Sequence, residues 1–475
     1  MQSNGNNISK NFYENLNYFQ TRLHVDDNFD VLYRVIHIGG REAAFFFIDG
    51  YCKDELMEKI LQYFYSITEE QMPQDVYGLL KKHMPYVEVD ISKDQEVIIK
   101  NILSGVFALF IEGYESCILI DSRTYPVRSV QEPEKDKAMR GSKDGFVETI
   151  VFNTALIRRR IRDTNLCMRM KSVGRASKTD VVVCYMEDRV DQKFLKQLMK
   201  KIDRLDVDAL TMNQESFAEC IFRRKWINPF PKFKYTERPD TAAAHILEGN
   251  IIVLVDNAPQ AMIMPTSIFD IVDEADDYYF PPVTGTYLRL SRFLIFLLTY
   301  FLTPTYLLLT IYPSYIPSSF DFIKITDTIN IPIIYQFLIL ELAIDGLKLA
   351  AVNTPNMLSM PLSVMAALVL GEFSVNSGWF NSEVMLYMAF VAVANYTQSN
   401  YELGYALKFM RIITLILTAV FGIYGYIGGI ILFAVSILTN RTVSNKSYLY
   451  PLIPFRAKTV FRQFFRVRLS STEKK

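Results

Sequence analysis

The feature that most constrains this chain is the separation of charged residues from long apolar runs along its length. Charged residues crowd the first 290 positions, and the long apolar runs all lie after Leu290. Phe293–Thr310 is a stretch of eighteen residues without a charge, long enough as a helix to cross the hydrocarbon core of a bilayer. We therefore expect a cytosolic N-terminal region, and an all-α polytopic membrane domain at residues 287–442.

Five further segments of the C-terminal part are apolar. Ile331–Val352 is predicted to be a second full span. Ser359–Gly371 and Val384–Ala394 are too short to cross alone, so we expect broken or re-entrant helices, which survive at membrane depth only inside protein or beside a water-filled cavity. Residues 412–424 and 428–438 predict a final helical hairpin that turns around Tyr424-Gly425-Tyr426.

Basic residues flank this domain on both sides. Arg289 and Arg292 precede the first span, and the tail at 443–475 is basic, with a single acid at Glu473. The positive-inside rule then predicts that both termini face the cytosol of the inner (plasma) membrane, which requires an even number of crossings. The alternating Phe and Arg residues of VFRQFFRVR predict an interfacial anchor of this basic tail on anionic lipid.

The second span carries the strongest functional signal, because Glu341 lies at its centre and is followed by Asp345 and Lys348. Their spacing of four and three residues places all three on one helical face. A charge at the centre of a membrane helix costs about 2.5–3.5 kcal/mol, so this face is expected to avoid lipid.

Two interpretations of this face remain open. In the structural one, Lys348 extends to the interface, Asp345 pairs with it, and a protonated Glu341 lies in a contact between helices. In the functional one, an ion path is lined by these three residues together with Glu372.

The first 286 residues show alternating strand and helix patterns. After a leader at 1–28 we expect two similar α/β subdomains, 29–140 and 141–286, because two pairs of segments resemble each other at an offset of about 140 residues. Ordinary strand–helix patterns without duplication are the alternative. The charged segment Arg128–Lys143 is predicted to be a linker. The predicted fold is an α+β cytosolic region joined to the membrane domain.

One helix is predicted over Asp144–Arg162, with Arg158, Arg159 and Arg160 near its C-terminal end. Cations at that end complement the helix dipole. The basic end is either solvated or in contact with acidic lipid headgroups or with the other subdomain.

A second candidate contact lies at Glu237, Arg238 and Asp240, which are spaced to form an ion-pair cluster between the second subdomain and its neighbour. Pro239 fits the first turn of a helix, where its missing N–H has no cost. The cluster has either a local structural role or forms a subunit contact that transmits gating.

Motifs for catalysis are missing from the sequence. The four histidines form no zinc motif, and there is no Walker A loop, GxGxxG or GxSxG. The five scattered cysteines predict reduced thiols. The net charge of zero provides no basic field for nucleic acid. We therefore expect no enzyme activity, cofactor, metal site or nucleic-acid partner.

Several motifs resemble the A subunits of the GerA-type spore germination family. They are KYTERPD at 234–240, LEG at 247–249, the VDNAP turn at 255–259, the acidic–tyrosine segment at 277–279, and the block GSKDGFVETIVFNTALIRRRIRDTNL at 141–166. Lys143 departs from the family, which often has Arg there. The C-terminal SYLYPLIPF is most similar to the stage V sporulation protein AF branch.

This resemblance implies an inner-membrane protein of dormant spores in Bacillota that forms a homo-oligomer. It also implies that the membrane domains form a cation channel opened at germination, and that a small membrane partner protein and other germination proteins bind. A non-conducting scaffold for germination receptor complexes is the alternative. A transporter of small germinants is a weaker third hypothesis, because the membrane domain shows no inverted repeat.

Overall fold

The computed structural model describes residues 7–51, 53–123, 139–222, 228–354, 360, 364, 366–398 and 400–467. Most of the predicted linker Arg128–Lys143, part of Ser359–Gly371, and the last residues of the basic tail lie outside the described residues. The chain divides into two compact units. The first contains Met1–Arg223 and Tyr235–Pro265, and the second contains Arg224–Lys234 and Thr266–Lys475.

The first unit begins with a five-stranded antiparallel sheet in the order β1-β2-β4-β5-β3. Its strands are β1 (Val31–Ile38), β2 (Arg41–Ile48), β3 (Val89–Ser92), β4 (Phe107–Ile111) and β5 (Cys117–Ile120). Its helices are α1 (Phe12–Arg22), α2 (Asp54–Tyr65), α3 (Val76–His83) and α4 (Gln95–Leu103).

Strand β2 explains why this sheet is covered on both faces. Phe46 packs with Phe19 of α1 on one face, and Phe45 packs with Phe64 of α2 on the other. Because successive side chains of a strand point to opposite faces, the continuous apolar run of β2 requires apolar cover on both sides.

A second five-stranded sheet has the order β6-β7-β9-β10-β8. Its strands are β6 (Leu166–Val173), β7 (Thr179–Met186), β8 (Lys234–Thr236), β9 (Ile251–Val255) and β10 (Ala261–Met264). Its helices are α5 (Ile150–Arg160), α6 (Gln192–Ile202), α7 (Asn213–Ile221) and α8 (Pro239–Leu247). From their first strands onward, the two sheets share the same strand order and the same sequence of elements. In each, a first hairpin is followed by helices and the third strand, and then by a second hairpin.

The helix predicted over Asp144–Arg162 is shorter in the structure, because α5 begins at Ile150. The residues of the predicted range that precede it are not helical. The side chain of Asn153 donates to the Val147 carbonyl and accepts from the Val147 N–H, at 2.6 and 2.8 Å. The Phe146 N–H donates to the Glu237 carbonyl at 2.8 Å. These bonds satisfy backbone groups that a longer helix would need for itself.

The second unit is helical. Its helices are α9 (Ile268–Val272), α10 (Asp276–Tyr279), α11 (Pro282–Ile311), α12 (Ile333–Asn353), α13 (Ser382–Tyr396), α14 (Tyr401–Thr439) and α15 (Ala457–Phe464), with a π-helical turn at Ala367–Phe373. Among the described residues, α11 and α14 are the two helices long and apolar enough to cross a membrane. The predicted second span forms α12, a helix of 21 residues that contains three charged side chains.

Helix α14 contains a reversal of the chain. Its backbone breaks at Gly422, where φ is 57° and ψ is −131°, a conformation favourable only to glycine. Beyond the break, Gly425 lies directly against the carbonyl oxygen of Leu417, although residues eight apart in a straight helix are separated by about 12 Å. The two arms therefore form a helical hairpin, and it turns at Gly422 and not around Tyr424-Gly425-Tyr426.

Candidate functional site

Helices α12 and α14 bring together four charged side chains that are 63–70 residues apart in sequence. Glu341 and Asp345 lie one turn apart on α12, and Lys408 and Arg411 lie one turn apart on α14. Glu341, Lys408 and Arg411 are only 3, 4 and 2% exposed. We call these four residues the ion-pair cluster.

Arg411 links three helices through its guanidinium group. Its Nε and Nη2 atoms both donate to Oε1 of Glu341, at 2.8 and 2.5 Å. Its Nη1 atom donates to the carbonyl oxygen of Thr299 on α11 at 2.7 Å. Because a buried guanidinium is stable only when its donors are paired, this residue fixes the relative positions of α11, α12 and α14.

Lys408 is held by oxygens of two acidic residues. Its ammonium donates to the Glu341 carbonyl oxygen at 3.0 Å, lies 3.3 Å from Glu341 Oε2, and forms a short ion pair with Asp345 Oδ2. The Asp345 side chain is 29% exposed, and among the described residues its Oδ1 atom has no hydrogen-bond partner. That oxygen is itself buried, so Asp345 carries an acceptor whose hydrogen-bonding capacity the described residues leave unsatisfied.

The structure separates Lys348 and Glu372 from these contacts. The structural interpretation of the sequence paired Lys348 with Asp345, but the ammonium of Lys348 lies over the rings of Tyr396 and Tyr405, 4.7 and 5.8 Å from their centroids. Such cation–π contacts stabilise a partly desolvated ammonium. Glu372 lies exposed on the π-helical turn.

A small cavity adjoins the ion-pair cluster. Its polar lining consists of Glu341, Asp345, Lys348, Asn395, Lys408 and Arg411, and Met388 of α13 is among its apolar residues. Three bases face two acids in this lining, so the formal charge at the wall is positive.

Sequence reasoning found the acids of this site and missed both bases. The predicted last hairpin begins at residue 412 and therefore does not include Lys408 and Arg411. The missed signal was their position in α14, where LKFMRIITLIL carries two bases three residues apart within an apolar helix. Such bases require acidic partners on a neighbouring helix.

At the basic end of α5, Arg158 forms a buried contact within the first unit. The Arg158 side chain is 0% exposed. It donates to both carboxylate oxygens of Asp30 at 2.8 and 2.9 Å, and to the Leu166 carbonyl at 3.2 Å. Since Asp30 immediately precedes β1 and Leu166 begins β6, this arginine joins elements of the two sheets.

The neighbouring arginines differ from Arg158. Arg160 donates to the Asp144 carboxylate at 2.5 Å and to the Ser142 hydroxyl at 3.0 Å. Arg159 is exposed. Because the three arginines point in different directions around the helix, Arg158 is a buried structural cation and Arg159 lies at the surface.

The second predicted cluster is partly assembled. Arg238 binds the Asp240 carboxylate through Nε at 3.1 Å and Nη2 at 2.7 Å, and Nη2 also donates to the Ser142 carbonyl at 2.9 Å. The Glu237 carboxylate accepts a hydrogen bond from the side-chain amide of Gln260 at 3.0 Å. Pro239 lies in the first turn of α8, as predicted.

The described parts of the chain contain no group of three or more His, Cys, Asp or Glu residues that could hold a metal ion. The described cysteines are free. Burial raises the pKa of Cys117 well above its usual range, which keeps that thiol protonated and unreactive.

Comparison with known proteins places the chain in a family. Residues 17–475 match the family described as Bacillus/Clostridium GerA spore germination protein. Stage V sporulation protein AF of Bacillus subtilis (strain 168) is 35% identical over 460 residues, which cover 97% of this chain and 93% of that protein. Spore germination protein KA of the same organism is 26% identical over 466 residues, covering 97% and 85% of the two chains.

One solved structure is also similar. It is the crystal structure of the N-terminal domain of the A subunit of the Bacillus megaterium spore germinant receptor GerK3, with 21% identity and a TM-score of 0.39, covering 55% of this chain and 96% of that one. The family match over nearly the whole chain confirms the resemblance seen in the sequence motifs: this chain belongs to the GerA family of Bacillus/Clostridium spore germination proteins.

Proposed function

We propose that this chain is a subunit of a homo-oligomeric cation channel in the inner membrane of the spore, and that it releases ions during germination. A role in spore germination follows from the family. The ion-pair cluster is the observation that supports conduction, because it places two acids and two bases inside a bundle of apolar helices.

The energetic argument compares this cluster with apolar packing. Replacing a buried ion pair by apolar residues of similar volume is often neutral or stabilising, by about 1–4 kcal/mol. A helix bundle that served only as an anchor would gain little from three buried charges and a partly buried fourth. Ionisable residues inside membrane segments instead tend to mark ion paths and their gates.

The arrangement of charges also supports a mechanism. In the described conformation, Lys408 and Arg411 neutralise Glu341 and Asp345. A displacement of α14 relative to α12 would remove both bases from the acids and leave carboxylates facing the cavity. We therefore propose that the cluster is a closed gate, and that separation of these two helices opens it.

The proposed topology has several crossings, with both termini in the cytosol. The two subdomains, 29–140 and 141–286, would then lie on the cytosolic side, where Arg158 and Arg238 hold their shape and the surfaces around them are available for subunit contacts. A small membrane partner protein would join the oligomer, as the similarity to the stage V sporulation protein AF branch implies.

The test is K⁺ efflux from liposomes that contain the purified chain, with and without the small partner. We expect efflux above that of empty liposomes. Glu341→Gln should reduce it several-fold while assembly stays intact, because one of the two carboxylates that face the cavity in the open state loses its charge. The matched control is Asp321→Asn, which removes an exposed acid paired with Lys324 at 2.6 Å and should leave efflux unchanged. Wild-type efflux equal to that of empty liposomes would rule out conduction.

One observation favours the alternative of a non-conducting scaffold. The bases of the cluster are paired with its acids, as expected of a contact that only holds helices together. Under this hypothesis Glu341→Gln leaves germination unchanged, and substitution of the exposed Arg159 disperses the germination complex. Germination rates of spores carrying the two kinds of substitution therefore separate the two functions.

A further inference from the structure

The C-terminal helix α15 is fixed against the beginning of α11. Arg289 donates through Nη1 to the carbonyl oxygens of Arg462 and Gln463 at 2.9 and 3.0 Å. The Arg466 N–H donates to the Thr286 hydroxyl at 3.1 Å. These bonds hold α15 at the level where α11 changes from a mixed to an apolar sequence.

One face of α15 packs on the protein. The ring of Phe464 lies 5.0 Å from that of Phe293 and 5.8 Å from that of Phe269, measured between centroids. The Gln463 amide donates to Asp273 Oδ2 at 3.1 Å. These contacts determine how α15 is oriented against α11 and the segment around Phe269.

Beside this packed face, the helix and its C-terminal cap expose two large aromatic rings. Phe461 is 55% exposed and Phe465 is 42% exposed. Their rings stack with centroids 4.8 Å apart and an angle of 21°. Exposed apolar surface of this kind on a well-packed helix commonly marks a binding surface.

A basic stripe runs beside the aromatic one. Lys458 and Arg462 are exposed and lie four residues apart, on one face of the helix. They lie further around the helix than Phe461 and Phe465, on the side away from the packed Phe464. Residues 441–467 contain six Lys and Arg and no Asp or Glu, so the surface fits an anionic partner.

The position of this surface identifies the partner as a bilayer. Arg289 is four residues before Phe293, where the charge-free stretch begins, and four residues of helix rise about 6 Å. The headgroup region on each side of a bilayer is about 5–8 Å thick. A helix fixed at the level of Arg289 would therefore lie in that region when α11 crosses the hydrocarbon core.

We propose that α15 lies in the headgroup layer of an anionic membrane, with the rings of Phe461 and Phe465 at the acyl boundary and Lys458 and Arg462 on lipid phosphates. An amphipathic helix with aromatic residues beside basic ones has this preference. The inference rests on the membrane location that the proposed function assigns, and it does not depend on conduction.

The test uses the full chain in liposomes that contain lipids brominated near the headgroup, with Phe461→Trp as the probe and the parent chain as the blank. In phosphatidylglycerol we expect quenching of the new tryptophan at least twice that in phosphatidylcholine. Adding Lys458→Gln and Arg462→Gln should remove this excess, because each basic residue near an anionic surface adds about fivefold to its affinity. The charge-matched control is Lys196→Gln with Lys200→Gln, two exposed lysines four apart on α6, and it should keep the excess.

Each other outcome contradicts the proposal. Equal quenching in both lipids would mean insertion without recognition of anionic headgroups. Absence of quenching in a chain that resists alkaline extraction would mean that protein covers this surface. Extraction of the chain by alkali would instead remove the membrane location itself. K⁺ efflux measured on the same liposomes shows separately whether the conduction hypothesis fails.

Discussion

Replacing Arg158 by Met is expected to destabilise the first unit strongly. The side chain is fully buried, and it donates to both oxygens of the Asp30 carboxylate at 2.8 and 2.9 Å. Methionine fills much of the same volume but provides no donor. The Asp30 carboxylate, itself almost fully buried, would then keep its charge without a partner or take up a proton, and both outcomes lower the free energy of unfolding.

The magnitude follows from this geometry. Removing one partner of a buried ion pair costs about 3–5 kcal/mol. For a unit of roughly 250 residues, each kcal/mol lowers the unfolding midpoint by about 2–4 °C. The expected decrease for Arg158→Met is therefore roughly 6–20 °C in thermal unfolding of the purified full chain, followed by intrinsic fluorescence.

Two further variants make this test specific. Arg159→Met, at an exposed position on the same helix, should change the midpoint by only about 1–2 °C. The double variant Asp30→Asn with Arg158→Met removes both charges and should recover part of the lost stability. If Arg158→Met shifts the midpoint no more than Arg159→Met, the reasoning about this ion pair is wrong.

Three other predictions concern backbone strain, proton binding and a single hydrogen bond. Gly422→Ala should lower the thermal midpoint, at a cost of about 1–3 kcal/mol. Its positive φ disfavours a side chain, and the adjacent tyrosine hydroxyl leaves no room for a Cβ. The control is Gly428→Ala, which should be neutral or stabilising because no atom lies within 4 Å of the added Cβ. Burial raises the pKa of Asp273 from 3.8 to about 6. The folded state then binds this proton more tightly than the unfolded state, so stability should fall as pH rises from about 4 to 6 and stay level above, and Asp273→Asn should flatten this slope in midpoints measured against pH. Tyr51→Phe removes the 2.7 Å bond to a carbonyl of α5 and should cost about 1–2 kcal/mol in denaturant unfolding.

The candidate site shows where sequence reasoning succeeds and fails. Glu341 and Asp345 were found because a charge inside an apolar helix is costly and visible in the sequence. Their partners were not found, because Lys408 and Arg411 follow 63–70 residues later and no local pattern connects the two helices. A still longer separation in sequence, of 128 residues, hid the pairing of Arg158 with Asp30.

What the sequence determined by itself was local. Periodicity and apolar runs predicted the alternation of strands and helices before residue 287 and the long helix α11, because each depends on neighbours within a few residues. The tertiary structure decided which charged side chains meet, where α5 begins and where α14 reverses. Those outcomes depend on packing between distant segments. A buried charge acquires its partner only when the helices and sheets are in contact, and Gly422 adopts its unusual backbone conformation only where the two arms of α14 pack together.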